Sequence, residues 1–171
     1  MEQEHAFLIF AITFGGFLAL GIYGTLTRYN IGIKGKCIWK DEGKNIKPFF
    51  SHRYHVYGKP DLLYETDEGI VLIEYKSRGG KIYPSDIAQA KCAALAARDD
   101  GYNIHSIAVK TVANKHIEVL PESNDCLYED IEQYIHAARA AKSGSFLPTA
   151  KDPGKCHGCG YKNSCNARLV A

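Results

Sequence analysis

Runs of apolar residues broken by short polar turns, followed by longer helical periods, organise the middle of the chain. Phe49 to Tyr57 leads into a first strand. From Gly58 to Lys76 two apolar-rich runs flank Thr66-Asp67-Glu68-Gly69, a pattern that predicts a β-hairpin. Pro84-Ser85-Asp86 marks a helix start, with Ser or Asp able to cap the first turn. That helix runs to about Arg98, stops before Gly101, and is rich in Ala, which favours close packing on a sheet. Residues 103–113 and 115–120 read as two strands joined at Asn114, and the alternation from His116 to Val119 suggests a half-exposed edge. Residues 123–142 form a second long helix with apolar residues at Leu127, Ile131, Tyr134, Ile135 and Ala138, ended by Gly144. Hairpin, helix, two strands and helix together predict an α/β fold, a mixed sheet flanked by helices.

The first part of the chain follows a different rule. Ala6 to Thr27 is 22 residues without a charge, long enough to cross a bilayer as a helix. Glu2 and Glu4 precede it, and Arg28, Lys34, Lys36 and Lys40 follow it. The positive-inside tendency then sets a single-pass membrane protein with its C-terminal domain in the cytoplasm. The expected organisation is a transmembrane helix over 1–27, a basic juxtamembrane linker over 28–48 and a folded domain over 49–171. Ala11, Gly15 and Ala19 make a small-residue stripe of the kind that pairs membrane helices.

The hairpin carries the candidate chemistry. With Asp67 and Glu68 as loop residues, Thr66 pairs with Gly69 and the register continues to place Asp61 opposite Glu74. Directly opposed residues have Cβ atoms about 4.5–5.5 Å apart, so the two carboxylates could share one hard divalent cation. Lys76, two residues after Glu74, points to the same side. A bulge would slip this register by one and turn Asp61 to the other face. His52 and His55 lie upstream; His55 shares parity with Asp61 but is about 20 Å of extended strand away.

Six cysteines are unevenly placed, and Cys156, Cys159 and Cys165 form C-x2-C-x5-C, a spacing that suits a metal more than a disulfide framework. Three thiolates are one short of the usual four for zinc or an iron–sulfur cluster, so the fourth ligand comes from a distant residue or from His157. Cys92, amid alanines, reads as a small buried residue.

Gly58-Lys59-Pro60-Asp61 followed by Glu74-Tyr75-Lys76 resembles the core motif of PD-(D/E)XK nucleases (the restriction-endonuclease-like fold), in particular the RecB-like branch. Within it, the CRISPR-associated iron–sulfur exonucleases are the most similar, with the nuclease domain of the Okazaki-fragment-processing nuclease–helicase. The resemblance covers about residues 49–165. It implies that Asp61, Glu74 and the Tyr75 carbonyl hold Mg²⁺ or Mn²⁺, that Lys76 positions the attacking water, and that Gln89 on the following helix lines the active site. It also implies a [4Fe–4S] cluster on Cys156, Cys159, Cys165 and an upstream cysteine, for which Cys37 is the candidate and Cys126 the fallback; zinc is the alternative metal. Two features depart from the family. Four residues after Gln89 stands Ala93 in place of Tyr, and neither His52 nor His55 matches the family's upstream motif histidine.

Net charge is only +2, so no strongly basic footprint marks the chain as a nucleic-acid binder. Lys59, Arg78 and Lys81, close to the motif, are candidate phosphate contacts. The function this implies is a divalent-metal-dependent deoxyribonuclease, an exonuclease on single-stranded DNA ends. The alternative is a membrane-anchored metal-cluster module that binds nucleic acid or protein through a degenerate nuclease site.

Overall fold

A computed structural model describes residues 32–144. The apolar run over 6–27 and the cysteines at 156, 159 and 165 lie outside these residues. In chain order the elements are β1 (Lys36–Lys40), β2 (Phe49–Ser51), β3 (Val56–Gly58), β4 (Leu62–Thr66), β5 (Gly69–Tyr75), α1 (Pro84–Asp99), β6 (Ile104–Lys110), β7 (Lys115–Val119) and α2 (Asn124–Lys142). The chain divides after Ile131, so the first part of α2 belongs with the sheet and the remainder to a second unit.

Five strands form one mixed sheet in the order β1-β4-β5-β6-β7. The β4–β5 hairpin has the register expected from its turn, with Thr66 opposite Gly69 and Leu62 opposite Ile73. Thr66 Oγ1 accepts the Glu68 N–H and donates to the Gly69 carbonyl, which fixes the turn. β5 and β6 are parallel, with Glu74 beside Val109, and α1 is the crossover that a parallel pair needs. The other pairings are antiparallel.

β1 lies inside the stretch expected to be linker. It pairs with β4 from Lys36 opposite Glu65 to Lys40 opposite Leu62, with an irregularity between Cys37 and Trp39. Its lysines hid it, since charged residues suit an edge strand as well as a linker. Trp39 packs against Phe49 with ring centres 5.0 Å apart and the rings tilted by 44°, which ties this edge to β2. The segment before the hairpin also does more than lead into it. β2 and β3 make a separate two-stranded ribbon, turning at His55, a non-glycine residue at φ 49°.

The sheet face toward α1 buries Leu63, Leu72, Ile107 and Val109 completely. α1 answers with Ala90, Ala94, Leu95 and Ala97, equally buried. Small side chains let the helix axis approach the sheet, as the alanine content implied. The opposite face collects Leu62, Val71, Ile73 and Ala108, with Ile33, Tyr64 and Tyr75 packed against them. Lys91, mid-helix and only 8% exposed, reaches Glu118 of β7 at 2.7 Å and Asp130 of α2 at 3.0 Å, joining three elements through one ammonium. Among the described residues no helix is long and apolar enough to cross a membrane.

Candidate active site

Glu74 and Lys76 stand at the C-terminal end of β5, where the parallel pair ends and the Lys76 N–H bonds the Lys110 carbonyl at 2.7 Å. Crevices at such strand ends are where open α/β sheets bind ligands. Glu74 is 6% exposed. Its Oε1 accepts two hydrogen bonds, from Lys76 Nζ at 2.8 Å and from Gln89 Nε2 at 2.9 Å. Gln89 closes the triangle, its Oε1 accepting from Lys76 Nζ at 2.8 Å. A glutamine suits this corner because one side chain carries both a donor and an acceptor.

Asp61 arrives differently from the expected register. The regular pairing ends at Leu62–Ile73, and the Asp61 N–H bonds the Ile73 carbonyl at 3.1 Å, so Asp61 is not paired with Glu74. Its side chain instead turns to the end of β5, where Oδ2 accepts the Tyr75 N–H at 2.6 Å. The preceding Pro60 is fully buried and has no N–H to donate, so the backbone there cannot continue the ladder as a donor. The slip still leaves the two carboxylates coupled. Burial pushes the Glu74 carboxyl above the ordinary range, the Lys76 hydrogen bond opposes this, and the Asp61 charge adds to the rise.

A divalent cation fits this donor set. Two carboxylates, one of them buried and raised by its neighbour's charge, gain from a shared positive ion. Oδ1 of Asp61 and Oε2 of Glu74 accept no hydrogen bond among the described residues. No group of three or more His, Cys, Asp or Glu side chains placed to hold a metal occurs among them either. Two carboxylates completed by carbonyl, water and phosphate oxygens are the habit of Mg²⁺.

Of the expected phosphate contacts, Lys59 donates to the Gly43 carbonyl at 2.7 Å and pairs with Asp41 at 2.6 Å. Arg78 pairs with Asp86 and lies over the Tyr83 ring, 4.9 Å from its centre. Asp86 also accepts the Tyr83 N–H at 2.8 Å, so it caps α1 from inside the first turn. Burial would raise the Asp86 carboxyl, but the hydrogen bonds from Arg78 and the Tyr83 backbone outweigh it and hold it below the ordinary range. Neither basic residue is a free cation, and no local pattern reveals their partners. Lys81 is exposed.

His52 packs edge-on against Phe50 and His55 sits in the ribbon turn, so neither joins the Asp61–Glu74 cluster. Cys37 is exposed on β1, with its thiol donating to the Trp39 carbonyl at 3.4 Å. Cys126 is exposed on α2. Cys92 is half-buried, against the expectation of a buried residue, and its thiol reaches the Tyr57 carbonyl at 3.8 Å.

No curated protein matches the sequence. Among solved structures, one described as "Crystal structure of SSO0001" is similar, with 15% identity, a TM-score of 0.40, and coverage of 94% of this chain and 72% of that one. The family model of the PD-(D/E)XK nuclease superfamily matches residues 16–166, a span that includes Asp61, Glu74, Lys76 and Gln89. The chain belongs to the PD-(D/E)XK nuclease superfamily.

Proposed function

We propose that this chain is a divalent-metal-dependent deoxyribonuclease that hydrolyses phosphodiester bonds at single-stranded DNA ends. The observation that carries the reading is the Glu74–Lys76–Gln89 triangle with Asp61 held beside it on the Tyr75 N–H. Asp61, Glu74 and the Tyr75 carbonyl would hold Mg²⁺ or Mn²⁺, which when bound neutralises phosphate charge and makes water a better nucleophile. Lys76 has three ammonium hydrogens. Two are engaged by Glu74 and Gln89, which leaves the third for the attacking water or a phosphoryl oxygen. Gln89 keeps Lys76 and Glu74 in place. Water attacks phosphorus and gives up a proton to solvent, the bond to the leaving sugar oxygen breaks, and that oxygen takes a proton from solvent as it leaves.

The remaining expectations belong to the same proposal. Cys156, Cys159 and Cys165, with Cys37, would carry a [4Fe–4S] cluster, and the apolar run over 6–27 would anchor the protein to a membrane. Cys37 is accessible on an edge strand, as a ligand from a distant segment must be.

The test is hydrolysis of end-labelled single-stranded DNA by the full chain, purified anaerobically in detergent, with Mn²⁺ and with EDTA. Asp61→Ala and Lys76→Ala are expected to abolish cleavage and leave DNA binding intact. A folded chain that binds DNA but cuts nothing with any divalent cation would favour the binding-module alternative. Metal analysis of the same sample reports iron if the cluster is present; zinc in its place would remove the cluster and keep the nuclease.

A further inference from the structure

The β2–β3 ribbon has two unlike faces. Phe49, Ser51 and Val56 are buried, while Phe50 and Tyr57, cross-strand partners, both point outward. Tyr57 is 68% exposed and Phe50 37%. His52 extends the same surface, its ring edge-on to Phe50 at 4.7 Å. Of the other exposed large apolar residues among those described, Val112, Ile117 and Val119 are aliphatic, while Tyr83 lies beside the Arg78 guanidinium at the start of α1 and Tyr134 is on α2. The ribbon carries its two exposed rings as a cross-strand pair.

Charge sets the ribbon apart as well. From Gly43 to Pro60 the chain carries no Asp or Glu, but has Lys44, Lys47, Arg53 and Lys59 with His52 and His55; of these, Arg53 pairs with Asp125 and Lys59 with Asp41. Lys44 and Lys47 are exposed and make no ion pair among the described residues. In a chain whose net charge is only +2, this is a local basic stretch interleaved with aromatics.

Position ties the stretch to the candidate active site. Tyr57 is four residues before Asp61, a chain reach of at most about 14 Å. Gly58, between them, lies against Ala93, one helical turn beyond Gln89.

We propose that Phe50 and Tyr57, with Lys44 and Lys47 in the segment that leads into β2, form a stacking subsite for unpaired bases of the nucleic acid strand entering the site. This rests on the nuclease reading above and gives it a substrate preference. Aromatic rings accept any base face, whereas bases already stacked in a duplex are not available to them. The lysines supply the sequence-independent phosphate attraction. The subsite therefore selects single strands without selecting sequence.

The test measures binding of the full chain to labelled oligothymidylate, and to a blunt duplex of equal length, in EDTA so that nothing is cut. The Phe50→Ala/Tyr57→Ala variant is expected to lose at least fivefold in single-strand affinity per ring removed, with duplex binding and thermal midpoint unchanged. Tyr57→Leu, which keeps apolar area without a ring, is expected to bind as weakly as Tyr57→Ala. Tyr57→Trp in a Trp39→Phe background is expected to bind normally, with its fluorescence quenched by the oligonucleotide. Unchanged single-strand affinity in the double variant, or full binding by Tyr57→Leu, overturns the subsite. If the wild type cleaves DNA while these variants bind normally, only the subsite falls. If the wild type neither binds nor cuts, the nuclease reading falls with it.

Discussion

A Cβ placed on Gly58 would sit 2.3 Å from the Cα of Ala93 and 2.6 Å from its Cβ. The strand that leads to Asp61 and the helix that presents Gln89 therefore meet backbone to backbone. Gly58→Ala forces them apart, and overpacking of this kind costs about 1–3 kcal/mol. Adding Ala93→Gly removes only one of the two overlaps, so it should restore little of the lost stability. Thermal unfolding of the single and double variants checks both statements; full recovery in the double variant would show that side-chain crowding alone was at stake.

Gln89→Leu removes both hydrogen bonds from the glutamine but leaves the Lys76–Glu74 pair. Outer residues that orient ligands are worth about 10–100-fold in affinity or activity. We expect a cleavage loss in that range with a weaker apparent metal affinity, smaller than the loss in Asp61→Ala. A metal titration of the cleavage rate separates the two effects.

Glu74 links metal, protons and stability. Without a cation, its carboxyl holds a proton more tightly in the folded chain than in the unfolded one. Its contribution then favours the fold at low pH and is lost as pH rises from the ordinary value of 4.5 through the raised one. A bound cation competes with that proton. Mg²⁺ or Mn²⁺ should therefore raise the melting temperature, by an increment that shrinks as pH falls through the raised value. Melting curves across pH, with EDTA and with metal, test this; an increment independent of pH would place the cation elsewhere.

Lys91 gives the opposite lesson, charge used for structure. Glu118 is held below the ordinary carboxylate range; burial would raise it, but the Lys91 and His116 hydrogen bonds prevail. Lys91 is held above its ordinary value of 10.5 by Glu118 and Asp130, against its own burial. Glu118 thus contributes stability that is present above 4.5 and lost as pH falls through its depressed value, while Lys91's contribution is lost only as pH rises past 10.5. Glu118→Gln with Asp130→Asn strands a buried ammonium and should destabilise more than Lys91→Met, which fills the space with an apolar chain and leaves two partly exposed carboxylates to water. Denaturant unfolding of the two variants compares them.

Local signals were legible. The Thr66–Gly69 turn sets the hairpin register, and Pro84-Ser85-Asp86 marks the start of α1, though the cap position falls on Tyr83 with Asp86 bonding back to it, because both signals depend on neighbours in sequence. Alternation at His116–Val119 identified an edge strand but not which side was wet. Ile117 and Val119 face solvent, while His116 and Glu118 turn toward the lysine of α1. That inversion depends on Lys91, whose burial no local pattern reveals. β1 escaped notice because its pairing with β4 is long-range and irregular. The approach of Asp61 is hidden from the sequence for a related reason. The regular register stops one residue short of it, where Pro60 precedes it and its side chain takes the Tyr75 N–H.

The residues of the triangle and the aspartate beside it all fall between Asp61 and Gln89, within one hairpin and the helix that follows it. Nothing in this cluster waits on a distant part of the chain for a side chain. Two neighbouring strands and a single crossover assemble it, so β6, β7 and α2 act as a frame whose surfaces can change without altering the cluster's own contacts. Such an arrangement is portable: insertions after β7, or a new domain joined beyond α2, would alter what is delivered to the carboxylates while leaving their geometry as it is.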